Sequence, residues 1–279
     1  MWNLFRAEWT KTYKRPANIG LILVTLGIIL LGFVGMVGIS LYEGMDSQFA
    51  DQIRELTLFP TSLQVPLIVL SQLGSILAIV FMSNSIGAEY TNDTWKVLLP
   101  RRARRSDFII IKVVICLLFM TLLIATSLIL GALLGVLANL IVGGDLSNME
   151  QFSASELFKS LVPIFMQLIV FSSITLLVTM ASRSTIMGIV FGIVGNTIFS
   201  VAASLSKLAA KILPNLHITN LEANWLYDGE QKTEVIKRID MAFGTQVSLT
   251  TSLMVVGAYI FGSIIIGLLL FQRRDMAGQ

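Results

Sequence analysis

Long apolar stretches alternate with short polar ones along the whole chain. Uncharged runs occupy 18–42, 63–88, 113–142, 160–182, 184–206 and 248–271. A helix needs about 20 apolar residues to cross the hydrocarbon of a bilayer, so the pattern predicts six membrane-spanning helices. The third run holds about 30 uncharged residues, near 45 Å as a helix, and must tilt or project. Only Arg183 separates the fourth run from the fifth. Small residues four apart, Gly131 and Gly135, Gly188 and Gly192, Ser263 and Gly267, let helix backbones approach closely, within one subunit or between two.

The polar segments carry patterns of their own. Over 1–16, Trp2, Phe5, Trp9 and Tyr13 fall within about 80° of one another on a helix, while Glu8, Lys11, Lys14 and Arg15 point away. An aromatic stripe opposite a basic face predicts an amphipathic helix lying in the interfacial headgroup layer. Pro16 ends it and turns the chain into the membrane. The stretch 43–62 reads as an acidic loop. The segment 207–247 is too polar to span and too apolar for a free loop. It opens with an amphipathic piece, Lys207 to Leu213, stopped by Pro214, and Trp225 and Tyr227 suit the outer headgroup level. It reads as short helices, either re-entrant and sheltered by the spans or forming an external cap.

Composition and charge turn this pattern into a topology. With 55% hydrophobic and 13% charged residues, against about 25% charged in soluble domains, residues 1–279 read as one all-α polytopic transmembrane domain. The N-terminal segment holds Arg6, Lys11, Lys14 and Arg15, and the segment after the second run holds Lys96, Arg101, Arg102, Arg104, Arg105 and Lys112. Arg183 follows the fourth run, and Arg273 and Arg274 follow the sixth. Thirteen of the 20 basic residues thus fall on one side, against Arg54 and Lys159 in the alternate short loops. Lys and Arg near span ends mark the cytoplasmic face, so both termini are expected inside. Residues 207–247 carry five basic and five acidic residues, and long segments obey the rule weakly. The first run is too long for a signal-peptide core and reads as a retained span.

Candidate chemistry is sparse. No ionisable residue falls within the six runs as drawn, which argues against a proton- or ion-coupled carrier, since such carriers keep costly charges in the membrane. Cys116 is the only cysteine, in an apolar run, so neither a disulfide framework nor a thiolate metal site is expected. His217 is the only histidine and has no partner at metal-ligand spacing; it reads as an interfacial loop residue. There is no G-x-S-x-G elbow and no phosphate loop of the G-x-x-x-x-G-K-[ST] kind. The chain is therefore not expected to be an enzyme, to hold a metal or cofactor, or to bind nucleic acid. If it moves something uphill, the energy arrives from another polypeptide.

The segment 88–112 contains more than connection requires. Asn92 or Asp93 can cap a short helix from Thr94, on which Trp95, Leu98 and Leu99 share one face before Pro100 ends it. Arg101, Arg102, Arg104 and Arg105 follow, and Ser106 can cap the third span. Such a helix suits a groove on a cytoplasmic partner; equally, Trp95 could sit in the headgroups with the arginines on anionic lipid.

In order along the chain, Glu89, Thr94, Trp95, Leu98, Leu99, Pro100, Arg104 and Lys112 resemble the signature region of the type 2 class of ABC transporter permeases, with Asp93 where that class often has glycine. Glu8, Lys11, Arg15 and Pro16 resemble its N-terminal amphipathic helix, and Phe271 to Asp275 its closing F-Q-R-R-D. The resemblance extends over the whole chain, and the small size is most similar to bacitracin-resistance and lantibiotic-immunity permeases. It implies a multi-pass permease subunit of a bacterial cell membrane, paired with a second permease copy or sister subunit. Two ABC ATP-binding subunits carrying ATP and Mg would dock beneath. Glu89, Thr94, Trp95, Leu98, Leu99, Pro100, Arg101 and Arg104 would form the ATPase-coupling element.

The expected function is thus an ATP-driven exporter subunit for an amphipathic or lipophilic substrate, a peptide antibiotic or drug. The alternative is a non-transporting scaffold or immunity protein that binds a toxin or partner through 207–247. For the exporter, Gln72 and Ser75 in the second run and Asn196, Thr197 and Ser200 in the fifth are candidates to line the path. Uncharged polar groups offer hydrogen bonds without the desolvation cost of an ion. Hydrogen bonding between helices of one subunit is the other use for them.

Overall fold

A computed structural model of the chain describes residues 2–41, 47–92, 105–142 and 153–273. These residues form eleven α-helices. α1 covers Trp2–Lys14, α2 Pro16–Ser40 and α3 Ser47–Thr57, and a 3₁₀ turn at Thr61–Leu63 leads into α4, Gln64–Thr91. α5 runs Arg105–Val142, α6 Ala154–Ser182 and α7 Thr185–Leu205. Three shorter helices follow, α8 (Lys207–Ile212), α9 (Pro214–Leu226) and α10 (Gly229–Phe243), before α11, Leu249–Arg273. Six helices, α2, α4, α5, α6, α7 and α11, are long and apolar enough to cross a membrane, one for each uncharged run.

Three of these helices outrun their apolar segments. α5 starts at Arg105, with Asp107 in its first turn where a carboxylate complements the helix dipole. Its 38 residues make a helix about 57 Å long, well beyond the ~30 Å hydrocarbon. α4 continues to Thr91 and α6 begins at Ala154. Nothing in a backbone hydrogen-bond ladder requires it to stop where lipid stops. One expectation falls as a result: Glu89 and Lys112 lie within spanning helices, so the spans are not free of ionisable residues. The acidic stretch 43–62 likewise contains a helix, α3.

The chain divides into two compact units, residues 1–12, 75–117 and 162–279 in one and 13–74 and 118–161 in the other. In the first, Ile79, Val170, Phe171, Ile218, Leu221 and Val256 form one apolar cluster, and Ala203, Ala210, Leu216, Ala223 and Ile239 another. The segment 207–247 therefore does not hang free. α9 packs on α7, α8, α10 and α11, with Pro214 at its first turn where the missing N–H costs nothing. In the second unit Phe33, Val65 and Ala138 form the cluster. α2 supplies Phe33, with Met36 and Val37 packed beside it, yet most of the helix stays uncovered, and no atom lies within 4 Å of a Cβ built on Gly20, Gly27, Gly32, Gly35 or Gly38.

The small-residue pairs of the other spans are used inside the chain. Gly131 meets the Pro66 ring and Gly135 the Ser62 side chain, while Gly267 lies against Leu176 and Ser263 is buried. Gly188 faces Ser83 and Thr179, and Gly192 faces Ile79 and Thr175. Between α6 and α7 the chain reverses on two residues. Arg183 adopts a left-handed φ of 56°, and Ser184 caps α7 by accepting the Met187 N–H.

Candidate functional site: a buried charge cluster at the ends of two spans

α1 lies with Leu4, Glu8 and Thr12 buried, one helical face at intervals of four. The aromatic stripe is on the free side. Trp2 and Tyr13 are exposed, and the Trp2, Phe5 and Trp9 rings stack in sequence at 5.5 and 6.5 Å between centroids. The stripe is thus available to the headgroup layer, but the opposite face is not a solvated basic one. Glu8, on the face away from the aromatic stripe as expected, is 3% exposed.

Glu8 is buried because it meets charges from two other helices. The Lys112 ammonium, near the start of α5, donates to Glu8 Oε2 at 2.6 Å, to Glu89 Oε1 at 3.0 Å and to the Ser85 carbonyl at 2.8 Å. All three of its protons have acceptors. Lys11 bridges the same carboxylates from the outside, 2.9 Å from Glu8 Oε1 and 3.3 Å from Glu89 Oε1. Two lysines and two glutamates leave no net charge, the condition under which buried ions are tolerated. Burial pulls the Lys11 ammonium down, but the Glu8 and Glu89 carboxylates outweigh it and leave its pKa raised, so its charge persists at physiological pH.

The cluster joins three places in the sequence: α1, the last turn of α4 and the second turn of α5. Residues 92–104, which hold the predicted coupling element, are tethered at both ends to one knot. Glu89 is the only member of that predicted set within the described residues; Thr94, Trp95, Leu98, Leu99, Pro100, Arg101 and Arg104 lie outside them. The sequence supplied every member of the cluster as a separate motif position. That they contact one another was missed, because the pairs Glu8–Lys112 and Lys11–Glu89 join distant segments.

A second polar knot lies in α9. His217 is fully buried on a helix rather than in an interfacial loop. Its Nε2 donates to the Lys211 carbonyl at 2.9 Å, and Nδ1 is 3.1 Å from Ser252 Oγ, which also accepts from Asn220 Nδ2 at 2.9 Å. A carbonyl only accepts, so Nε2 carries a proton and in the neutral ring Nδ1 takes the Ser252 hydroxyl. Serine beside histidine is the start of a nucleophilic dyad. Here both are sealed from any substrate, and what the bonds accomplish is to fix α9 on α11. Among the described residues no three His, Cys, Asp or Glu side chains group as metal ligands.

The residues expected to line a path are placed unequally. Asn196 Nδ2 donates to the buried Ser75 Oγ at 3.2 Å, joining α7 to α4. Thr197 and Ser200 are exposed on α7, Thr197 also donating to the Ile193 carbonyl, and Gln72 is exposed on α4. Interhelical hydrogen bonds of this kind contribute about 0.6 kcal/mol on average. Asn196→Leu should therefore shift the thermal midpoint of the purified chain only slightly. A loss of folded protein would instead make this bond a main support.

Six spanning helices, interior ion pairs and an amphipathic helix ahead of the first span define a polytopic α-helical membrane protein. Residues 21–277 match the family described as "Protein of unknown function (DUF2705)", and the chain belongs to that family. No curated protein and no solved structure matches the chain.

Proposed function

We propose that this chain is the membrane-spanning permease subunit of an ATP-driven exporter of the ABC type 2 class. It works with a second permease copy or sister subunit and draws energy from two separate ATP-binding subunits. The observation that supports the reading is the buried cluster of Glu8, Lys11, Glu89 and Lys112. An ATPase that pushes on residues 94–99 acts on a segment whose two ends are tied to each other and to α1. The push is passed into the end of α4 and the start of α5. Glu89 and Lys112, two positions that carry the resemblance, are partners 3.0 Å apart, which gives their spacing a physical purpose. With Lys and Arg concentrated on this side, the cluster faces the cytoplasm. The exposed Thr197, Ser200 and Gln72 remain available to an amphipathic or lipophilic substrate at a subunit interface.

The test is purification of the tagged chain from its native membrane. A nucleotide-binding subunit with a phosphate loop should accompany it and hydrolyse ATP. Leu98→Asp or Leu99→Asp should abolish substrate-stimulated hydrolysis while membrane insertion persists, because an unpaired carboxylate in an apolar groove costs several kcal/mol. Full hydrolysis in both variants would refute the coupling role. Recovery of the chain without any ATPase, with protection of the cell intact, would place it among non-transporting immunity proteins.

A further inference from the structure

The residues of α1 fall into lengthwise rows set by 3.6 residues per turn. Leu4, Glu8 and Thr12 form the row buried against the protein. Trp2, Phe5 and Trp9 form a second row about 100° around the helix, their rings stacked in file. Asn3, Arg6 and Thr10 form a third, about 100° further on, and all three are exposed. The third row therefore points almost directly away from the protein. Tryptophan settles at the level of headgroups and upper acyl chains. With the aromatic row turned down into that layer, the third row faces outward along the membrane surface, among the headgroups of neighbouring lipids.

The chemistry of this row is one-sided. Arg6 brings a guanidinium, and Asn3, one turn earlier, an amide with two N–H donors. Thr10 turns its hydroxyl back onto the Arg6 carbonyl at 2.8 Å. Glu8 is the single acid of α1, and Lys11 and Lys112 engage its two oxygens. Among the described residues no carboxylate pairs with Arg6. Its guanidinium is a planar donor fork that matches phosphate, and no anion of the described chain occupies it. Trp2, 72% exposed, stands one turn before Arg6 and offers an acyl chain a broad apolar surface.

We propose that Asn3, Arg6 and Trp2 bind an anionic glycerophospholipid of the adjacent leaflet, its phosphate on Arg6 and Asn3 and its acyl chain along Trp2. A head with net negative charge is favoured because a zwitterionic one already carries a cation beside its phosphate. The site requires neither an ATPase nor transport, so it stands apart from the export reading.

The experiment uses the full chain in phosphatidylcholine nanodiscs doped with a minor fraction of phosphatidylglycerol brominated high on its acyl chains. The reference discs carry the same fraction of equally brominated phosphatidylcholine. Bromine quenches indole on contact, and the signal of Trp2 is the difference between each chain and its Trp2→Phe counterpart. Phosphatidylglycerol should quench Trp2 about fivefold more strongly than phosphatidylcholine, the enrichment that one basic residue near a membrane surface gives. Arg6→Gln should remove the preference, while Arg6→Lys keeps most of it. Thermal melts check that each variant is folded, and the native comparison of the two lipids does not depend on them. Excess inorganic phosphate at fixed ionic strength should leave the preference intact, since free phosphate gains nothing from the indole. Its loss there would mark a site for free phosphate and overturn the lipid assignment. Equal quenching by the two lipids in the native chain would also overturn the proposal. So would a preference that survives Arg6→Gln, because it would come from basic residues elsewhere.

Discussion

Lys112→Met should destabilise the chain by about 3–5 kcal/mol, the range for removing one partner of a buried ion pair. The loss follows from what stays behind. Glu8 and Glu89 would remain 3% and 1% exposed, with the buried ammonium between them gone and Lys11 open to solvent on one side. Lys11→Met should cost about 1 kcal/mol or less, since partly exposed pairs are screened. The informative variant combines Lys112→Met with Glu8→Gln and Glu89→Gln. With no ion left to strand, it should recover most of the lost stability, yet under the export reading it should uncouple ATP hydrolysis from substrate. Thermal unfolding of the three purified variants decides the first part. A Lys112→Met chain that melts with the native one would show the cluster to be energetically idle.

Gly87→Ala should cost about 1–3 kcal/mol, the usual penalty for inserting a carbon into a packed interior. A Cβ there would meet Thr185 Cα at 2.6 Å and Thr185 N at 2.7 Å. Both are backbone atoms at the start of α7, and neither can rotate aside as a side chain would. Gly195→Ala is the matched control on α7. Nothing lies within 4 Å of its added carbon, so the better helix propensity of alanine, up to about 1 kcal/mol, should appear as a small gain. Opposite signs for the two substitutions would establish that Gly87 is glycine for reasons of contact. Equal effects would assign both to backbone propensity.

The spans were legible because one physical quantity, uncharged length, defines them, and each of the six runs became a helix. Their ends were not. A run stops at the first charge, whereas α5 continues through Lys112 back to Arg105 because that charge has acceptors on two other helices. Reading charges as span boundaries placed Glu89 and Lys112 just outside and hid the one ionic site the described residues share between α1, α4 and α5. His217 was misplaced for a related reason. Its partner Ser252 is 35 residues away, and no local pattern marks a polar residue as core when its bonds come from another helix. Ser75 and Asn196 show the converse. Their types and positions were noted, but which face each presents depends on neighbours that periodicity alone does not name.

The two-residue reversal at Arg183 and Ser184 bears on how the protein reaches its membrane. α7 is the least apolar of the six spans, with Asn196, Thr197, Ser200 and Ser204 along it. A segment of that kind gains little from entering lipid alone. Joined to α6 by so short a link, it is expected to enter as the second arm of a helical hairpin, which Ser83 of α4 then bonds at both arms, to Thr179 of α6 and to the Thr185 carbonyl of α7. On that expectation the turn at Arg183 commits two segments to one insertion event, with a single guanidinium at the bend.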